Sequence, residues 1–194
     1  MSTHILQVDS SILGDQGQSS QLSSQLVAAL QKRYPKVTVT HRDVTGDPVP
    51  HFTLETVQAI AAGKAELADR LIAEVQAADT IVLSAPMYNF AIPSTLKAWF
   101  DHIARAQVTF KYTENGPEGL LTGKKVYVIT TRGGLHKDTK NDGVVPYLQT
   151  ILGFVGLTDV EYIYAEGLSM GDKKVEALAL AQADIEQAVI EQAV

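Results

Sequence analysis

The stretch His4-Ile5-Leu6-Gln7-Val8-Asp9-Ser10-Ser11-Ile12-Leu13-Gly14-Asp15-Gln16-Gly17-Gln18-Ser19-Ser20, with Leu22, Leu26 and Leu30 beyond it, decides the fold class. A short apolar run breaks at Asp9 and a hydroxyl- and glycine-rich loop follows. Leucines then recur at i, i+4 and i+8, one face of a helix over 19–34 that Pro35 ends. Strand, loop and helix in this order make half of a crossover unit, and the alternation repeats along the chain. Further strands are predicted at 37–42, 80–85, 126–131 and 160–165. Further helices are predicted at 54–77, with Leu67, Leu71 and Val75 on one stripe and Gly63 able to break it in two, and at 94–106, with Trp99, Phe100 and Ile103 inward. The last two fall at 145–155 and 173–193.

Five such units in 194 residues fit a single α/β domain, residues 1–194: a doubly wound five-stranded parallel sheet of flavodoxin type, strand order 2-1-3-4-5. A chain of this size that is 45% hydrophobic builds a full core. The absence of cysteine excludes disulfides, thiolate nucleophiles, Cys-ligated zinc and iron–sulfur clusters, so redox chemistry would have to come from a bound cofactor. Sixteen Lys+Arg against 22 Asp+Glu, net −6 and without a basic run, give no footprint for nucleic acid. The first apolar run meets Asp9 too soon for a signal-peptide core. The longest uncharged run, between Asp142 and Asp159, is interrupted by Pro146 and Gln149 and falls short of the roughly 20 apolar residues of a membrane span. A soluble, cytoplasmic protein is expected. The histidines are isolated, so no metal site is expected, and His102, inside a predicted helix, should be exposed or capping.

In a doubly wound sheet ligands sit outside the carboxyl ends of the strands, where strand order reverses. Three loops fall there. The first, residues 9–20, approaches a helix N-terminus whose free amides and dipole favour an anion. Ser19 or Ser20 would serve equally as an ordinary N-cap. With neither G-x-G-x-x-G nor a P-loop, the phosphate belongs to a mononucleotide, and without Lys or Arg in the loop a buried flat ring must add affinity. The second loop, Ala85-Pro86-Met87-Tyr88-Asn89-Phe90-Ala91-Ile92-Pro93, suits the edge and face of a heteroaromatic ring, or aromatic packing against the next helix, which Ser94 would cap. The third, Thr131-Arg132-Gly133-Gly134-Leu135-His136, lets backbone approach a ligand closely, or simply turns; Arg132 or His136 would place positive charge beside a ring that becomes anionic on reduction.

Met87-Tyr88-Asn89-Phe90, Thr109-Phe110-Lys111-Tyr112-Thr113-Glu114-Asn115-Gly116-Pro117-Glu118-Gly119-Leu120 and Arg132-Gly133-Gly134-Leu135-His136-Lys137-Asp138 resemble the FMN-dependent NADH azoreductases, flavodoxin-like enzymes also active as quinone reductases. The resemblance spans nearly the whole chain. It implies a homodimer with one tightly bound FMN per subunit at the interface and NADH as electron donor. Ser11, Gly17, Gln18 and Ser19 would hold the phosphate. Met87, Tyr88, Asn89 and Phe90 would border the ring, and Thr131, Arg132, Gly133 and Gly134 would line its other side, with His136 close by. Gly17 and Thr131 stand where the family pattern has Ser, and the stretch from Phe52 to Glu66 is shorter than in relatives, which bears on substrate range. The excursion from Gln107 to Lys124, a strand-like 108–113 with an Asn-Gly-Pro-Glu-Gly turn, fits an interface element, and Tyr112 and Phe154 are candidates for a substrate-stacking wall or for core packing.

The expected chemistry is ping-pong two-electron (hydride) transfer from NADH through flavin N5 to quinones in one cycle, or to azo compounds in two, which cleaves them to amines; the flavin carries it, and no side chain is assigned a catalytic role. A non-enzymatic flavodoxin-type electron carrier is the alternative. A serine esterase at Gly167-Leu168-Ser169-Met170-Gly171 is disfavoured, because every histidine precedes Ser169 and the triad order needs one after it. Asp9-Ser10 resembles the nucleophile of small flavodoxin-like esterases, but the C-terminus lacks their Asp and His.

Overall fold

The computed structural model describes residues 3–34 and 36–191, so Pro35 and residue 193, the expected end of the last helix, lie outside the described residues. The chain begins with β1 (His4–Asp9), and a 3-10 turn at Gly14–Gln16 leads into α1 (Gln18–Arg33). There follow β2 (Thr38–Asp43), α2 (Leu54–Ala61), α3 (Glu66–Ala77), β3 (Thr80–Ser84) and α4 (Ser94–Ile103). Then come β4 (Phe110–Thr113), β5 (Gly116–Gly119), β6 (Lys125–Thr131), α5 (Val145–Val155), β7 (Asp159–Ala165) and α6 (Lys173–Glu191). The main sheet has the order β2-β1-β3-β6-β7 with every pair parallel, which is 2-1-3-4-5 when its own strands are counted.

Neighbouring residues of a strand point to opposite faces, and a parallel sheet buries both. Leu6 and Val8 join Leu71, Val75, Trp99, Phe100 and Leu148 on the face under α3, α4 and α5. Ile5, Val82, Tyr127 and Ile129 join Leu22, Leu26, Leu30 and Ile185 under α1 and α6. Gly63 takes a left-handed φ of +66°, and the predicted helix over 54–77 is accordingly two helices.

The structure departs from the sequence expectation at four places. Gly116–Gly119 is a strand rather than part of a turn: Tyr112 pairs with Pro117 and Thr113 with Gly116, so β4 and β5 form an antiparallel hairpin outside the main sheet. The turn is Glu114-Asn115. α4 ends at Ile103, three residues early, because the Thr109 hydroxyl donates to the Ile103 carbonyl at 2.7 Å and the chain turns there. Its N-cap is Pro93, not Ser94. His102 is buried rather than exposed, its Nδ1 2.9 Å from the Ala98 carbonyl and its ring edge-on to Phe52 at 5.4 Å.

Candidate functional site: a three-loop cleft at the carboxyl edge

β1 ends in a buried carboxylate that fixes where the first loop starts. Asp9 accepts from Gln7 Nε2 at 2.8 Å and from the Ser23 hydroxyl at 2.7 Å, and lies 2.8 Å from His41 Nε2, which ties β1, α1 and β2 together. The Ser10 hydroxyl then donates to the Ser84 carbonyl at 2.6 Å, fastening the loop to β3. Tyr88 reaches back from the second loop: its phenol oxygen accepts from the Ile12 amide at 3.2 Å and lies 3.3 Å from Ser11 Oγ.

The second loop is a tight turn. Tyr88 and Ala91 exchange backbone hydrogen bonds of 2.9 and 3.1 Å, and between them Asn89 and Phe90 have φ of +49° and +69°. Two consecutive left-handed residues make a type I′ turn, for which Asn is well suited and Phe is not. The Met87 amide donates to the Thr131 carbonyl at 2.9 Å, so this loop is stitched to β6. Phe90 is exposed at the tip and meets His136 edge-to-face at 5.6 Å.

These loops enclose a cleft of about 160 Å³ lined by Ser11, Gly17, Gln18, Ser19, Met87, Tyr88, Thr131, Arg132 and Gly133, all expected from the sequence. Asn89, Phe90, Gly134 and His136 sit outside its lining. Leu13, Pro86, Leu168 and Ser169 line it as well. The last two come from the loop after β7, whose sequence reads only as a hydrolase motif, although the carboxyl-end rule applies to that loop too. The Ser169 amide donates to the Gly133 carbonyl at 3.0 Å, and no hydrogen bond joins Ser169 Oγ to a histidine among the described residues.

Tyr112 and Phe154 are not part of this cleft. Both flank Phe110, which lies 5.6 Å from Tyr112 and 4.3 Å from Phe154 between ring centroids. Tyr112 is 70% exposed on the projecting hairpin.

The charge expected from Arg132 is paired within the protein. Its side chain is fully buried, with Nη1 2.8 Å from Asp142 and 3.2 Å from Glu166. Both ion pairs use Nη1, and two carboxylates offset the one guanidinium, whose Nε and Nη2 are buried without a hydrogen-bond partner.

The head of α1 fits a phosphate. Gly17 is the N-cap and provides no side-chain cap, so the amides of the first turn have no helical acceptor. Ser19 and Ser20, expected alternatively to cap the helix, do not; both hydroxyls are buried and without a hydrogen-bond partner. An unpartnered buried hydroxyl on a cleft wall, beside free amides at the positive end of a helix dipole, matches the donor set of an anion site.

A larger hollow of about 610 Å³ lies at the amino ends of the strands, between Thr3, Asp79, Lys124, Lys125 and Asp159. It is the wrong end of the sheet for this fold, and its cations are engaged: Lys124 Nζ donates to the Gln76 and Ala78 carbonyls, and Lys125 pairs with Asp159 and Glu161.

Residues 3–189 match the family described as flavodoxin-like fold. A Saccharophagus degradans protein named FMN-dependent NADH:quinone oxidoreductase is 53% identical over 197 residues, covering 97% of this chain and 94% of its own. A namesake from Alcanivorax borkumensis is 47% identical, covering 94% of this chain and 98% of its own. The crystal structure of an azoreductase from Bacillus anthracis superposes with a TM-score of 0.87 at 26% identity, over 96% of this chain and 98% of that one. With likeness of this extent added to the sheet order and the cleft, the chain belongs to the FMN-dependent NADH:quinone oxidoreductase family, built on the flavodoxin-like fold.

Proposed function

We propose that the chain binds one FMN in the three-loop cleft and uses NADH to reduce quinones and azo compounds, working as a cytoplasmic homodimer. The observation that carries this reading is the buried, unpartnered Ser19 hydroxyl on the cleft wall at the head of α1, opposite the Met87–Tyr88 wall. Ser11, Gly17, Gln18 and Ser19 would hold the phosphate. Met87, Tyr88, Asn89 and Phe90 would border the ring on one side, and Thr131 to Gly134 on the other. Bound FMN would supply the chemistry, taking a hydride equivalent from NADH and passing two electrons to an acceptor in a separate half-reaction. The protein's part is to seat the phosphate, sandwich the ring and leave one face open to flat molecules.

The cleft of one chain, about 160 Å³, is below the roughly 300 Å³ at which small-molecule sites begin. Exposed Ile12, Leu13, Phe90 and Leu135 surround it, and the hairpin projects elsewhere with Tyr112 uncovered. A second copy whose hairpin covers the ring would account for both features. Phe154 would support Tyr112 through Phe110 in a stacking wall for the acceptor. No helix among the described residues is long and apolar enough to cross a membrane.

Purified protein should be yellow and release FMN, not FAD, on denaturation. Colourless protein that takes up no added FMN would sink the reading. Bleaching of the flavin by NADH without a partner reductase separates the enzyme from a flavodoxin-type electron carrier.

A further inference from the structure

We propose that Glu166 is the positioning residue of the cleft: its carboxylate holds residues 132–137 in the shape that receives the ring, and the Arg132 guanidinium is its buried counter-ion. The proposal rests on the FMN reading above.

Glu166 directly follows β7, and one oxygen, Oε1, gathers three donors. The His136 amide is at 2.8 Å, the Lys137 amide at 2.7 Å and Arg132 Nη1 at 3.2 Å. The two backbone contacts are the short ones. Arg132 Nη1 also meets Asp142, whose other oxygen accepts from the Val144 and Val145 amides at 3.0 and 3.1 Å where α5 begins. The loop is therefore tied to α5 on one flank and to the end of β7 on the other.

Backbone bonds to the end of β7 and its loop secure its first half; beyond it the His136 carbonyl accepts only from within the same loop, from the Thr139 amide at 3.1 Å and the Thr139 hydroxyl at 2.8 Å. The amides of Arg132, Gly167, Leu168 and Ser169 pair with the carbonyls of Ala165, Gly134, Arg132 and Gly133, which fixes residues 132–134. Past Gly134 the amides of His136 and Lys137 both end on Glu166. A carboxylate accepting backbone N–H groups forms charge-assisted bonds, stronger than neutral ones. Holding these two amides also sets the His136 ring against Phe90, at the rim of the cleft.

Three variants separate the amide clamp from the ion pair. Glu166→Ala removes both. Glu166→Gln keeps an accepting oxygen but loses the charge. Glu166→Asp keeps the charge and withdraws the oxygen by about 1.5 Å, one C–C bond. Amide hydrogen exchange on the full chain, without flavin and after FMN loading, reads the loop directly, and quenching of flavin fluorescence during titration reads FMN affinity. Protection at His136 and Lys137 should fall in the order wild type, Gln, Asp, Ala. FMN affinity should follow the same order, with a loss of about ten- to a hundredfold for Ala, as expected for charge-assisted bonds. Glu176→Ala, on exposed α6 surface, should match wild type.

The reverse order, with Asp above Gln, overturns the clamp in favour of the ion pair. Unchanged protection and affinity in both Asp and Ala overturn it altogether. Should Glu166→Ala fail to fold, the order of Gln and Asp decides alone. Exchange needs no flavin, so a wild-type chain that binds no FMN would refute the cofactor while leaving the role of Glu166 readable.

Discussion

The Ser11 hydroxyl stands where a side chain at position 17 would begin: a Cβ on Gly17 would fall 2.1 Å from Ser11 Oγ and 2.6 Å from Ser11 Cβ. The glycine found where the family pattern has Ser is thus compensated locally, since Ser11 already puts a hydroxyl into that space. Gly17→Ser should weaken FMN binding although it adds a donor. The exchange Ser11→Gly with Gly17→Ser should recover most of the loss. Flavin titration of both single variants and the double variant checks this, and additive losses would contradict the shared space.

A carboxylate at the head of α1 should repel the phosphate. Two like charges about 4 Å apart cost about 1 kcal/mol in water and about 4 kcal/mol at an effective dielectric near 20. Ser19→Asp should therefore weaken FMN about ten- to a thousandfold. Ser169→Ala, which trims an exposed hydroxyl from the opposite wall, should change affinity by less than about threefold. A hydrolase would show the reverse: loss of ester cleavage at Ser169 and indifference at Ser19.

Phe90 pays for its place at the tip of the second loop with a left-handed backbone, worth about 1 kcal/mol in a residue other than Gly. Phe90→Gly completes an Asn-Gly turn of the preferred kind and, with the ring already exposed, should leave stability level or raise it by up to about 1 kcal/mol. Quinone turnover at saturating FMN should fall, because the ring beside His136 is gone. Urea unfolding and steady-state turnover test the two halves separately.

Burial pushes the phenols of Tyr147 and Tyr162 up to about 12 from their ordinary value of 10.0. A phenol kept neutral in the folded chain ionises first in the unfolded one, so the stabilisation is complete below pH about 10 and is lost as pH rises towards about 12. The Tyr162 hydroxyl is buried without a hydrogen-bond partner. Tyr162→Phe should then be neutral or stabilising near neutral pH and should flatten the alkaline limb. Urea midpoints between pH about 8 and about 11 check it; marked destabilisation at neutral pH would contradict it.

The sheet and the position of the cleft were legible because both follow from short-range pattern. Ile5 to Val8 reads as a strand and Leu22, Leu26 and Leu30 as a helix face from spacing alone, and the order of such units locates the carboxyl edge. What depended on distant partners was not legible. Arg132 reads as a free cation until Glu166, 34 residues on, is brought against it. His102 reads as surface until Phe52 covers it. The type I′ turn at Asn89-Phe90 carries no signal of its own, since Phe is a poor left-handed residue, and Gly116–Gly119 has little strand propensity until it meets Phe110–Thr113.

The cleft is held by different means on its two sides. Main-chain bonds lock the loop after β6 to the loop after β7, whereas the loop after β1 meets its neighbour through the Ser10 hydroxyl and the Tyr88 phenol. A side-chain bond disappears with one codon; a main-chain bond survives every substitution except proline. Natural variants that broaden or narrow the range of acceptors should therefore accumulate around residues 10–13 and 87–91, while the glycine side, main-chain bonded at residues 132–134 and held by Glu166 beyond them, keeps its shape.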